Sequence, residues 1–328
     1  MKFGSVPVAA AEGAVLAHSL VADRRIPKGT VLSADHVSRL TAAGFAEVTV
    51  ARLEAGDVDE DTAAAQLAAA VLTGVTGIRA TGAGAGRVNL YAEGCGLIRV
   101  DADVIHRINA VEPMITIATV PDYHRVDDGG MIATIKIISY AVTEDALEAA
   151  CSVAEGGVSF VPPVFETATL IETTIGDTPS DKGRRAMAGR VERMGMALSV
   201  RAVVAHEVIP LAAAIAEAPG DIVFVLTASA TSDPMDVAPQ ALRDAGGDVE
   251  RFGMPVDPGN LLFIGNLGEK AVIGLPGCAR SPALNGADWV LERVICGLDV
   301  SHDDIAAMGV GGLLKEIPTR PMPREKGV

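Results

Sequence analysis

The sequence predicts an α/β protein whose second half rests on a mostly parallel sheet, and three observations carry that reading. Residues 221–227, Asp221-Ile-Val-Phe-Val-Leu-Thr227, form a short, continuous, β-branched apolar run, the pattern of a strand buried on both faces. A small-residue loop, residues 228–235, separates it from a helix opening at Asp236, whose side chain is placed to cap residues 237–245 before Gly246 and Gly247 end the helix. Aromatic residues make up only 3% of the chain, so the cores are filled by small aliphatic side chains in sheet-and-helix layers.

In such a sheet the strand-ending loops share one rim, where helix N-termini leave amide donors and partial positive charge facing outward. That rim can hold a phosphate without a lysine. The local pattern alone leaves the plainer alternative open, a βα unit with no ligand at all.

At 328 residues the chain exceeds one core, and its breaks suggest where it divides. Ser33 to Asp35 supply a cap for a short helix over 36–43, residues 47–53 alternate as a strand, and Asp59 to Thr62 open a helix over 63–72. The glycine-rich stretch 81–86 lacks the lysine of a phosphate loop and is read as a turn before a strand at 88–92. Strands follow at 96–100, 114–120 and 131–142, with helices at 101–110 and 144–154. His124, Asp127 and Asp128 have metal-ligating side chains but sit in a polar loop and are read as solvated. Gly156-Gly157 and Pro162-Pro163 then mark a boundary. The expected organisation is a mixed α+β region over 1–160, divisible into 1–75 and 76–160, an α/β domain over 161–300, and a tail over 301–328 whose proline-rich, basic end, 318–328, is expected to be mobile.

In the second half, strands are expected at 167–175 and 198–204 and helices at 184–194 and 210–218. A hairpin of residues 261–267 and 271–277 turns at Gly268, and a last helix spans 281–296 behind Ser281-Pro282. Lys182, Arg184, Arg185, Arg190 and Arg193 form the densest basic stretch, where a few arginines could help hold a phosphate, and most of the five are read as a solvated helix face.

The net charge of -15 argues against nucleic acid as a partner, because affinity for its backbone comes from clustered Lys and Arg. Cys95, Cys151, Cys278 and Cys296 show no metal-binding spacing, the usage of a reducing compartment. With no run of about 20 apolar residues and no signal-peptide pattern, a soluble cytoplasmic protein, free of membrane, is expected.

The order of strand, small-residue loop with Asp236, helix, Gly246-Gly247, Pro258-Gly259, hairpin and Leu275-Pro276-Gly277 resembles the molybdopterin-binding domain of molybdopterin adenylyltransferases and molybdopterin molybdenumtransferases. Gly13 to Ala17 and residues 43–50 more faintly resemble the N-terminal segment of the latter. The chain departs from the family pattern in several places. Ala228 and Ser229 stand where the family carries Gly-Gly, Thr231 supplies the hydroxyl, and Leu275-Pro-Gly-Cys-Ala279 replaces Leu-Pro-Gly-Asn-Pro. The Asp-Gly-Tyr-Ala segment of the molybdenumtransferases is missing. A β-carbon blocks close backbone approach, so binding is better supported than catalysis.

The resemblance implies a three-layer fold for the second domain. It places molybdopterin against Thr173, Thr227, Ala228, Ser229, Ala230, Thr231, Pro258, Gly259, Leu275, Pro276, Gly277, Cys278, Arg280 and Ser281. Asp181 and Asp236 are the implied catalytic carboxylates, holding Mg²⁺ against the phosphates of molybdopterin or ATP, with the alternative that both are ordinary helix caps. It further implies a homo-oligomer acting in molybdenum cofactor biosynthesis or handling, by adenylyl transfer or molybdate insertion, or as a non-catalytic carrier or sensor.

Overall fold

The computed structural model describes residues 1–314, so the stretch expected to be mobile, 318–328, lies outside the described residues. The chain forms two compact units, residues 1–94 with 98–160, and residues 95–97 with 161 onward.

In the first unit, strands Lys2–Pro7 and Val15–Leu16 flank Glu47–Arg52, all antiparallel. Ser33 caps helix Ala34–Ala42, and the His36 ring completes the capping box from three residues on. Leu16, Ile26, Leu32, Leu40, Val48 and Val50 close this small core. A larger core gathers helices Glu60–Val71, Ala102–Val111 and Glu144–Ser152 against the sheet of Ile115–Thr119, Met131–Ile137, Arg87–Ala92 and Ile78–Ala80.

The strand expected over 131–142 is interrupted. Its end, Ala141–Thr143, leaves the sheet to pair with Asp57–Asp59, and the Tyr140 hydroxyl at the break donates to the Ala17 carbonyl at 2.8 Å. The glycine-rich turn is held by Asp61, whose carboxylate accepts the Gly86 amide at 2.6 Å, and by Lys136, which donates to the Ala85 carbonyl. A carboxylate thus occupies the amide that a phosphate would need. His124 lies on the short strand His124–Val126, where burial lowers its pKa, and Asp127 pairs with Arg125.

The second unit is a layered α/β body. Its sheet runs, edge to edge, from Ala197–Leu198 and Ala202–Ala205, which share one side of Thr167–Thr174, through Ile222–Leu226, Lys270–Gly274 and Phe263–Leu267 to Asp248–Phe252. Where a mostly parallel sheet was expected, the sheet is mixed. The pairings up to Lys270–Gly274 are parallel, but Gly268 (φ 62°) lets the chain reverse between Leu267 and Lys270, and the last two strands run antiparallel. The strand expected over 198–204 is likewise two short pieces, with the Ser199 amide bonded to the Ala168 carbonyl between them.

Alternation along Ile222–Leu226 sends Val223 and Val225 to one face, where they meet Leu211 and Ile215 of helix Val208–Glu217 and Ala238 and Leu242 of helix Val237–Asp244. Leu226 points to the other face. There helix Lys182–Glu192 comes so close that a β-carbon on Gly183 would lie 2.6 Å from the Leu226 side chain. The last long helix starts at Gly286 rather than Ser281, because Asn285 accepts the Ala287 amide at 2.9 Å while Asp288 accepts the Asn285 amide at 2.8 Å. Among the described residues no helix is long and apolar enough to cross a membrane.

All four cysteines are free, and burial pushes the Cys296 thiol up to about 12. Since the thiolate is the reactive form, iodoacetamide at pH 8 is expected to leave Cys296 unmodified in the folded protein and to label it in denaturant, as read by peptide mass spectrometry.

Candidate functional site at the carboxyl rim

Strands Thr167–Thr174, Ile222–Leu226 and Lys270–Gly274 run in the same direction, so their carboxyl ends finish on one rim. Two bonds draw the next segments together there. The Leu275 amide donates to the Val225 carbonyl at 2.8 Å, and the Arg280 guanidinium donates to the Thr227 carbonyl. Loop 227–231 and segment 275–281 are therefore neighbours. Ala228, Ser229, Ala230 and Gly277 are exposed, whereas Thr227, Thr231, Leu275 and Pro276 are buried beneath them. The amides of Ser229 and Ala230 donate to no group among the described residues.

Thr173, which the resemblance places against molybdopterin, is engaged within the fold. It is 1% exposed, its hydroxyl oxygen accepts the Ala228 amide at 2.7 Å, and it lies 2.9 Å from His206 Nδ1. Asp236 is a cap: one oxygen accepts the Val237 amide at 2.7 Å and the other the Ser232 amide at 3.0 Å, which folds the loop back on its helix.

Asp181 stands at the start of helix Lys182–Glu192 without capping it. Its carboxylate is bound instead by Arg201 Nη1 at 2.6 Å, while Arg201 Nε reaches the buried Glu172 at 2.8 Å and Nη2 the Pro179 carbonyl at 2.6 Å. Asp181 and Asp236 thus have separate partners. With one neutralised by a guanidinium and the other holding two amides, they do not fit a magnesium ion shared between them. Among the described residues no group of three or more His, Cys, Asp or Glu is placed to hold a metal.

Pro258 and Gly259 pack on a helix start. The Pro258 carbonyl accepts the Gly286 amide at 2.8 Å, and a β-carbon on Gly259 (φ 145°) would lie 2.8 Å from that same nitrogen. Cys278 is half-buried, with burial raising its thiol pKa. Ser281 takes part through its carbonyl, which accepts from Arg190 Nη2 at 2.8 Å.

Arg190 corrects the solvated-face reading of the basic helix. It is 3% exposed, pairs with the equally buried Asp288, and also donates to the carbonyls of Ala186, Ala279 and Ala283. This one side chain shapes the 279–283 segment that carries Arg280. Arg190, Glu172, Arg201 and His206 were not among the residues singled out for the site in the sequence. Glu172 left a trace, a carboxylate inside an otherwise buried strand, and such a group needs a cation. A cavity of about 380 Å³, lined in part by Phe165, Glu250, Asn266, Glu269, Asp299 and Ser301, lies at the opposite, amino end of the parallel strands and contains none of the rim residues.

The fold and rim define an open α/β unit with paired strand-ending loops and unengaged amides. Residues 5–52 match the model of a domain of unknown function, DUF8806. No curated protein matches the chain. Among solved structures the chain is similar to a molybdopterin biosynthesis MoeA protein from Pyrococcus horikosii, at 15% identity and a TM-score of 0.31, over 90% of this chain and 75% of that one. It is also similar to a molybdenum cofactor biosynthesis protein from Pyrococcus furiosus, at 13% identity and a TM-score of 0.25, over 91% and 66%. Likeness at this level carries no argument about activity or ligand.

Replacing Arg190 by Met leaves Asp288 buried without its cation and the carbonyls of Ala279 and Ser281 without their donor. The expected cost is about 3–5 kcal/mol, the range for breaking a buried ion pair, measured by urea denaturation; the exposed neighbour Arg193→Met should fall within about 0.5 kcal/mol of the parent.

Proposed function

We propose that this protein binds molybdopterin, or the cofactor made from it, at the carboxyl rim of the second unit, and that it acts in molybdenum cofactor biosynthesis or handling as a cytoplasmic homo-oligomer. The resemblance of residues 221–281 to the molybdopterin-binding domain supplies the ligand class. One structural observation carries the reading: Arg280 bridges segment 275–281 to the Thr227 carbonyl, beside the unengaged amides of Ser229 and Ala230. A guanidinium on the same rim as unengaged amides of exposed residues suits a phosphate, which accepts charge-assisted hydrogen bonds from both.

Within the proposal, a carrier is better supported than a transferase. Ala228 and Ser229 replace the glycines that would let a nucleotide approach the backbone, and Asp181 and Asp236 are engaged by Arg201 and by two amides. The residues then have binding roles only: Ser229 and Ala230 donate amides, Arg280 supplies the cation, and Arg190 and Asp236 hold the segments that present them.

Titrating the ligand-free protein with molybdopterin tests this directly. Saturable binding is expected, weakened by roughly tenfold or more in Arg280→Ala, the scale of one lost hydrogen bond to a charged group. Absence of binding by the parent protein would reject the reading. Incubation with molybdopterin and Mg-ATP should yield no adenylylated product; its appearance would convert the carrier into a transferase.

A further inference from the structure

The Thr173 hydroxyl sits at a junction with few solutions. It is buried, it lies on strand Thr167–Thr174, and its oxygen already accepts the Ala228 amide at 2.7 Å. A hydroxyl has one proton, and the neighbour within reach is His206 Nδ1 at 2.9 Å. If Nδ1 carried a proton of its own, the oxygen would accept twice and the hydroxyl proton would be left in a buried place. Leaving a buried donor unmade costs more than the bond itself is worth, so the satisfied arrangement has Thr173 donating to a neutral imidazole that carries its proton on Nε2.

His206 is itself fixed by the fold. It follows strand Ala202–Ala205, which lies parallel to residues 171–174, and its amide donates to the Thr174 carbonyl at 2.9 Å. The chain of bonds therefore runs from an edge strand, through an imidazole and a hydroxyl, to the first amide of the rim loop.

From this geometry we infer that Thr173 and His206 are positioning residues that set the rim loop for its ligand. Holding Ala228 by its amide takes that donor away from any ligand and makes Ser229 and Ala230 the loop's first free donors. The inference rests on the proposed binding of a phosphate-bearing pterin at this rim, but the latch has an experimental signature of its own. No ligand contact is assigned to either residue. Their effect on affinity comes from where the next two amides stand.

The test uses the full chain and two readouts. In Thr173→Val, which keeps the shape and removes the hydroxyl, the Ala228 amide should exchange with deuterium at least tenfold faster. Molybdopterin affinity should fall by roughly 5- to 10-fold, the scale of one buried hydrogen bond. Thr173→Ser, which restores the hydroxyl, should return both to within about twofold of the parent. Nitrogen-15 spectra of the imidazole should place the His206 proton on Nε2. Should Thr173→Val fail to fold, His206→Ala, at a half-exposed position, removes the partner that orients the hydroxyl while leaving its oxygen, so Ala228 exchange should rise and affinity fall by smaller factors than those of Thr173→Val. Unchanged Ala228 exchange and unchanged affinity, or a His206 proton on Nδ1, overturns the latch. If the parent binds no molybdopterin, the functional reading fails by itself, and Ala228 exchange alone decides the latch: faster in Thr173→Val and restored in Thr173→Ser upholds it, unchanged rejects it.

Discussion

The rim of the second unit depends on one buried guanidinium. Arg190 projects from helix Lys182–Glu192 into the buried interior, where it meets Asp288 and carbonyls from residues 186, 279, 281 and 283. Burying a charge in this way is costly unless every donor finds an acceptor, and here the acceptors come mostly from an irregular segment that regular secondary structure would leave unsatisfied. Arginine suits the task because its five donors spread in a plane and reach several oxygens at once. The backbone from Ala279 to Ala283 takes its course from that cation, and Arg280 owes its direction to it.

A second guanidinium repeats the device nearer the sheet. Arg201 joins Glu172, buried in strand Thr167–Thr174, to Asp181 at the head of the helix, so strand end and helix start are tied by ion pairs rather than by a cap. Both arginines act on the structure around the rim loops. The exposed amides and Arg280 are what remain to meet a ligand.

Much of the second unit was legible in the sequence because its signals are local. The unbroken apolar run of Ile222–Leu226, the cap at Asp236 and the glycine turn at Gly268 each announce themselves within a few residues, and each forms as read. The misreadings came from partners distant in sequence. Arg190 reads as surface because Asp288 is 98 residues away, and the hydrogen bonds of Thr173 are not legible because His206 and Ala228 lie 33 and 55 residues on. The start of the last helix was misplaced because Ser281-Pro282 is a sound opening by itself, and the Asn285–Asp288 capping box outcompetes it. In the first unit, the apolar sequence 131–142 hides a change of sheet, since hydrophobicity records burial and not which neighbour a strand pairs with.

The mixed sheet also settles how its two borders meet solvent. At the antiparallel end, Asp248–Phe252 places Asp248, Glu250 and Arg251 within five residues, and side chains that must keep their hydration discourage a further strand from docking. The opposite border is shared by Ala197–Leu198 and Ala202–Ala205, which carry no charge and are two and four residues long. The shortness that keeps this border from templating a further strand also delivers His206 directly to the strand end, so edge protection and the setting of the rim loop fall on the same four residues.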